Sequence, residues 1–368
     1  MAPRLELDRR TLRLMAIAFV LLAGLTIHRL WLAPTPDALE VLEVSGETMG
    51  TTYHLRIAGS GLDDRLRARV EQETARRLDD VDRWMSNWNP DSEIVRFNAH
   101  RSTEGFRVSS PTAEVVAYAI ELGKWSGGAF DVTIRPLVAL WGFGQGARIG
   151  EAPTQAEIDA HLRHTGARLL RVGRGNPRDG GFLRKEDPEV EIDLSAIAKG
   201  FGVDHVAEGL ASLGRTDFLV EIGGEVRAVG ERPGGGPWRV AIEKPLDDGR
   251  AIQTVVELSD RAMATSGDYR IFYREDGRRI AHTIDPRTGR PVENGPASAT
   301  VIAGTATEAD AWATALMVLG EKEGFALADA WGIAAMLLLR DESGGIVERR
   351  NALFPEAIAA PNAEIASE

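Results

Sequence analysis

Hydrophobic and polar residues recur along this chain with periods that delimit its elements. Residues 41–57 read as strand, and the run is broken at Gly50. Over 62–85 the period becomes helical: Leu66, Val70, Thr74, Leu78 and Val81 fall on one face of a charged, amphipathic segment. Residues 111–125 read as a second helix with Pro111 in its first turn, where no N–H is needed. A strand is expected to end at 191–193, followed by a helix over 196–213 that Gly214 closes. A buried strand at 218–222 stops at Gly223-Gly224, and further strands are expected around 238–242, 254–258 and 299–302. A helix over 307–319 closes at Gly320, and 333–339 is a final core strand. Runs of strands with interspersed helices predict an α+β fold with mixed or antiparallel sheets and flanking helices, and not a regular βαβ alternation.

Composition narrows the function classes. The 368 residues suffice for one large domain or two ordinary ones, and 43% hydrophobic with 27% charged residues predicts a packed body. A net charge of −12 argues against a nucleic-acid binder, which needs a basic face to displace counterions. It also means that an anionic dinucleotide would need a local cation. With no cysteine, disulfides, thiolate metal sites, cysteine nucleophiles and a lipidated N-terminal cysteine are excluded. No G-x-G-x-x-G follows the first strand, so a Rossmann site has no support.

The start of the chain departs from this body. Arg9, Arg10 and Arg13 precede an apolar run over 14–27, the layout of an export signal. Leu30, Trp31 and Leu32 prolong the run, and Pro34 directly after Ala33 spoils the obvious cleavage point. An uncleaved anchor at the outer face of the membrane is therefore favoured over a cleaved signal. Arg9-Arg10-Thr11-Leu12 loosely fits a twin-arginine signal. The expected organisation is 1–40 as signal or anchor plus linker, 41–354 as the functional domain and 355–368 as a loose Ala/Glu-rich tail.

Five segments carry candidate chemistry. In Asp193-Leu194-Ser195-Ala196-Ile197-Ala198-Lys199-Gly200, Asp193 or Ser195 is expected to cap a helix whose first turn holds Lys199. A lysine there opposes the helix dipole, which suits an anionic ligand docked at that terminus, although a solvated lysine fits equally. Thr307 and Asp310 resemble a capping box, and Asp310 and Thr314 share a helix face. They are either hard oxygen ligands for Mg²⁺ or a plain cap and a buried threonine. His282 precedes the turn Asp285-Pro286-Arg287-Thr288-Gly289 and is either a general base or structural. Gly127-Gly128-Ala129-Phe130-Asp131 permits close backbone approach, with Phe130 as flat surface or core. In Met85-Ser86-Asn87-Trp88, Trp88 either stacks on a ring or lies on a surface loop. None of the seven histidines has zinc-ligand spacing.

Taken in order, these segments resemble the ApbE family, the FAD:protein FMN transferases, over residues 44–339. The resemblance is carried by Met49-Gly50-Thr51, Ser86-Asn87-Trp88 with Pro90-Asp91-Ser92-Glu93-Ile94, Gly128-Ala129-Phe130-Asp131 and the 193–200 segment. Gly223-Gly224-Glu225, Ser266-Gly267-Asp268-Tyr269, the 282–289 segment and Ala309-Asp310-Ala311-Trp312-Ala313-Thr314-Ala315 complete it. It implies a flavin-transferase α+β fold with a deep FAD cleft and Mg²⁺ held by Asp310, Thr314 and the backbone oxygen of Ala196. It implies FAD contacts at Met49, Trp88, Ala129, Phe130, Asp131, Asp193, Lys199 and Ile284. It further implies transfer of FMN to a threonine or serine of an exported or membrane redox protein, such as an Rnf- or Nqr-type subunit, with release of AMP. His282 is the expected base, with Asp285 and Asp268 as lesser candidates. Where relatives often carry two adjacent histidines, this chain has Ala281-His282-Thr283, and it lacks their lipidated cysteine. Two other readings of the same residues are an FAD pyrophosphatase with water as nucleophile and a non-catalytic exported flavin carrier.

Overall fold

The computed structural model describes residues 40–144, 152–174, 180–246, 249–269, 271–275, 278–293, 295–341 and 343–358. The expected export segment over 14–27 and the linker before residue 40 lie outside these. Among the described residues no helix is long and apolar enough to cross a membrane.

In chain order the elements are β1 (Glu40–Thr48), β2 (Thr51–Gly59), α1 (Asp64–Met85), α2 (Glu93–Ala99), β3 (Phe106–Val108), α3 (Ser110–Trp125), α4 (Arg135–Leu140) and α5 (Gln155–Leu162). There follow β4 (Leu170–Arg174), β5 (Gly181–Lys185), α6 (Ala198–Ser212), β6 (Phe218–Ile222), β7 (Glu225–Val229), β8 (Trp238–Glu243) and β9 (Ile252–Leu258). The last are β10 (Arg261–Gly267), β11 (Phe272–Glu275), β12 (Arg278–Ala281), β13 (Ile284–Asp285), β14 (Arg290–Pro291), β15 (Ser298–Ala303), α7 (Ala306–Ala330), β16 (Ala334–Arg340) and β17 (Ile346–Arg350).

Eight strands form the central sheet in the order β1-β2-β6-β7-β10-β15-β16-β17, and the pairs from β2 to β17 are antiparallel. Its middle strands are buried on both faces, as the unbroken burial of β15 shows. Ala264, Ala299, Val301 and Leu337 join the helical core, whereas Met263, Ile302, Met336 and Leu338 meet Trp238 and Val256 of the β8–β9 hairpin. That face assignment follows from the two-residue period of a strand. On α1 the predicted stripe Leu66, Val70, Thr74, Leu78 and Val81 is buried, and Leu66, Val70 and Leu78 share a cluster with Val203, Val206 and Leu210 of α6.

Several boundaries differ from the sequence expectation. Residues 191–193 form no strand: the Asn98 side chain takes both the N–H and the C=O of Ile192 (2.8 and 2.9 Å), and Asp193 donates to the Val132 carbonyl (2.7 Å). Those groups are satisfied without a strand partner. Helix α6 starts at Ala198, and neither Asp193 nor Ser195 caps it; Asp193 instead accepts the N–H of Ser195 (2.7 Å) in a local turn. The cap of α7 is Thr305, which accepts from Glu308, so the Thr307–Asp310 capping box does not form. Gly320 breaks α7 where expected, at φ 72°, but the chain resumes helix to Ala330. Of the expected tail over 355–368, Ile358 donates to the Val255 carbonyl (3.0 Å), and the residues after 358 lie outside the described ones.

Candidate functional site

A cleft of about 680 Å³ opens between the central sheet, α6, α7 and the β8–β9 hairpin. Residues far apart in sequence converge there: the start of β2, the 129–134 turn, the 193–199 segment, the end of β10, the 282–286 segment and one face of α7. Met49, Ala129, Phe130, Asp131, Asp193, Ala196, Lys199, His282, Ile284, Asp310 and Thr314 all line it. The lesser base candidates Asp268 and Asp285 stay outside the lining, as does Trp88, at 67% exposure. In its turn the Ser86 hydroxyl accepts the N–H of both Trp88 and Asn89 (3.1 Å each), while Asn87 reaches inward to Asp193 (2.6 Å). Phe130 is 2% exposed and packs in the helical core, so its side chain offers little open face. The Asp131 carboxylate accepts from Thr133 and from the N–H of Ala167 (2.7 Å), tying together two turns at the cleft wall. Burial pushes its pKa up, and those hydrogen bonds oppose the shift.

The anionic centre lies where α6 and α7 meet. Asp310, 2% exposed, accepts the N–H of Gly200 (2.9 Å) in the first turn of α6 and so supplies the cap that the local sequence lacks. A Cβ on Gly200 would lie 2.2 Å from the Ala306 carbonyl oxygen, so this close approach requires glycine. Lys199 in the same turn donates to Glu225 (2.5 Å), which is 1% exposed. Thr314, one turn beyond Asp310, is 3.2 Å from the Ser266 hydroxyl.

Burial raises the pKa of Asp310 and that of Glu225, the latter to about 8, while Lys199 pulls both down. Two buried carboxylates therefore face one ammonium, and the second oxygen of Glu225 has no hydrogen-bond partner. Among the described residues no group of three or more His, Cys, Asp or Glu could hold a metal. The donors at this point are one carboxylate, one hydroxyl and backbone, all hard oxygens that suit Mg²⁺ when a phosphate completes the shell. Burial makes both carboxylates harder to ionise, and a bound cation would favour their ionised forms.

His282 follows β12 on the same cleft. Its Nδ1 is 3.1 Å from the Ile271 carbonyl, which can only accept, so Nδ1 carries the proton and Nε2 keeps its lone pair. Burial lowers its pKa, against the Ile271 hydrogen bond and the Asp268 charge that raise it, while Lys199 adds a small lowering. The imidazole is thus held neutral and able to take a proton. The lesser candidates are engaged elsewhere: Asp268 is gripped by Arg340 (2.8 Å twice) and Asp285 by Arg287 (2.9 Å). Sequence reasoning did not assign Glu225, Asn87, Asn98 or Asp204 any role. Glu225 and Asn87 stood within recognised motifs, but only their long-range partners disclose what they hold.

A model described as ApbE family matches residues 49–337. The FAD:protein FMN transferase of Vibrio cholerae is 45% identical over 316 residues, covering 86% of this chain and 92% of its own length. That of Haemophilus influenzae is 40% identical over 323 residues, covering 87% and 93%. The solved structure of the flavin transferase ApbE from Vibrio cholerae superposes with a TM-score of 0.77 at 43% identity, over 86% of this chain and 98% of the other.

Proposed function

The chain belongs to the ApbE family, and from that premise we propose that it is an FAD:protein FMN transferase working outside the cytoplasm with Mg²⁺. The observation that carries this reading is the meeting of Lys199, Asp310, Thr314 and His282 on one cleft. A dinucleotide needs its pyrophosphate charge offset before the P–O–P bond can break, and a protein acceptor needs a base for its hydroxyl.

In this reading Asp310, Thr314 and the Ala196 backbone hold Mg²⁺, which when bound supplies Lewis-acid stabilisation to the phosphate oxygens. Lys199 contributes a second positive charge. His282 accepts the proton of an acceptor threonine or serine hydroxyl at Nε2. The hydroxyl oxygen forms a bond to the FMN phosphorus, the P–O bond to the AMP half breaks, and AMP leaves with the electron pair of that bond. The product is a phosphoester-linked flavoprotein.

The basic and apolar start of the sequence supports export to the periplasmic side of a bacterial inner membrane, with acceptors among redox proteins there, such as Rnf- or Nqr-type subunits. The test is incubation with FAD, Mg²⁺ and a candidate acceptor from that membrane, followed by mass measurement of the acceptor. Gain of an FMN mass with stoichiometric AMP is expected. AMP and free FMN without a modified acceptor would identify a pyrophosphatase, and bound FAD without AMP a carrier; either result overturns the proposal.

A further inference from the structure

His282 directly follows a short two-stranded hairpin. Among the described residues β11 and β12 pair only with each other, through Phe272↔Ala281 to Glu275↔Arg278. An isolated two-stranded hairpin is marginal in water, so its orientation comes from what it packs on: Tyr273 and Ile280 lie against the cluster of Leu137, Trp141 and Phe143, and the Tyr273 hydroxyl donates to the Trp141 carbonyl (3.2 Å).

A second set of contacts, at the base of the hairpin, converges on Asp268. Its carboxylate receives both terminal nitrogens of Arg340, the last residue of β16, at 2.8 Å each. Its backbone carbonyl accepts from Arg279 of β12 (3.0 Å), and its N–H donates to the Ala297 carbonyl (3.1 Å). The Arg279 guanidinium also lies 3.6 Å from the centroid of the Phe272 ring. Immediately beyond, the Ile271 carbonyl faces both the backbone N–H (3.3 Å) and the Nδ1 of His282. Asp268 is 14% exposed and Arg340 31% exposed at the side chain, and the bidentate fork gives this pair a geometry that an ordinary surface ion pair lacks.

We propose that Arg340 is a positioning residue for the transfer reaction: by gripping Asp268 it pins the base of the β11–β12 hairpin to the central sheet and so fixes the Ile271 carbonyl that orients His282. Arg340 lies beyond the matched family segment, which ends at residue 337, and it does not line the cleft. It acts entirely through Asp268 and Ile271. The inference rests on the reading of His282 as the base.

The test compares Arg340→Met, Arg340→Lys, Asp268→Asn and His282→Ala with the wild type. FAD affinity, thermal midpoint, and the rate of FMN transfer to an acceptor as a function of pH are measured for each. Arg340→Met and Asp268→Asn are expected to slow transfer about 10- to 100-fold, with FAD affinity within about twofold of wild type, because a misaimed base costs rate and not binding. Arg340→Lys keeps the charge without the fork and should fall between, and it stands in if Arg340→Met fails to fold. The acid limb of the rate profile should move to lower pH in Asp268→Asn, which removes a carboxylate near the imidazole. In Arg340→Met, which removes one cation from that carboxylate and leaves Arg279 at 3.8 Å, it should move to higher pH. A merely structural role would lower FAD affinity and rate together with an unmoved limb, and that result overturns the proposal, as does wild-type transfer in all three clamp variants. Wild-type transfer by His282→Ala would instead remove the base itself, and with it both readings.

Discussion

Asp204 and Asp310 cap one another's helices. Asp204, in the second turn of α6, accepts the N–H groups of Ala306 and Thr307 at the start of α7 (3.0 and 2.8 Å) and the Thr307 hydroxyl (2.6 Å). Asp310, in the second turn of α7, accepts the N–H of Gly200 at the start of α6. Each helix supplies an acceptor for donors that its partner's own sequence leaves orphaned. The exchange locks the two helix starts together and brings Lys199, Asp310 and Thr314 to one place. Arg227 of β7 completes it by donating to Asp204 (2.5 Å).

Replacing Asp204 by alanine removes acceptors from one buried and one partly buried backbone donor and leaves Arg227 without this carboxylate. Stability should fall by about 2–3 kcal/mol, read from the denaturant midpoint at constant m-value. Asp204→Asn keeps a capping oxygen and should lose less. Equal stability of wild type and Asp204→Ala would contradict the reciprocal cap.

Asp310→Asn separates stability from function. The amide oxygen can still accept from Gly200, and a charge that burial disfavours is gone. The thermal midpoint should match or exceed that of the wild type, while transfer drops by about 100-fold or more and Mg²⁺ no longer stabilises the protein. Chelation of divalent cations should mimic this loss in the wild type, and added Mg²⁺ should restore it. An active Asp310→Asn protein would remove Asp310 from the metal site.

Gly200→Ala should destabilise even though alanine is favoured over glycine in a helix by about 1 kcal/mol. The new Cβ would meet the Ala306 carbonyl oxygen at 2.2 Å and the Asp310 Cβ at 2.8 Å. Forcing the helices apart should cost about 2 kcal/mol net and weaken FAD binding, measured by denaturation and by fluorescence titration.

Lys199→Ala should weaken FAD binding and leave Glu225 buried beside Asp310 without its ammonium, costing up to about 3 kcal/mol. The pKa of Glu225 is raised from 4.5 to about 8, so the fold favours its protonated form. Stability from that group is complete below the unfolded value and declines as pH rises through the folded one. The Lys199→Ala deficit should accordingly grow as pH rises through about 8, where Glu225 ionises beside Lys199 but stays protonated without it, and shrink in the Lys199→Ala/Glu225→Gln double variant. A pH-independent deficit common to both would contradict this account.

The pH dependence of transfer follows from His282. Its lowered pKa keeps the imidazole neutral below its ordinary value of about 6.5, so the acid limb of the rate profile should lie under that value. Activity is lost as pH falls through the depressed pKa, because the proton then occupies the acceptor nitrogen. His282→Ala should bind FAD normally and lack the limb along with the transfer; transfer at the wild-type rate would exclude His282 as the base.

Much of this protein was determined locally and could be read from the chain. The stripe from Leu66 to Val81 specifies α1 and its buried face because helical period alone decides which side chains meet the core. Gly320 marks the break in α7 because a residue at φ 72° favours glycine. Ordered short motifs located eleven of the cleft-lining residues, since chemistry at a site restricts residue type more tightly than packing does. The rest was settled by contacts between distant segments. Asn98 satisfies Ile192 across 94 positions and dissolves a strand that local pattern predicts. Asp310 caps α6 across 110 positions in place of the adjacent Asp193 or Ser195. Trp88 turns outward although its neighbour Asn87 reaches the wall. A backbone donor is indifferent to where along the chain its acceptor comes from and responds only to distance and direction. Those are properties of the folded chain, and they decide which of several plausible carboxylates is capped, paired or left for catalysis.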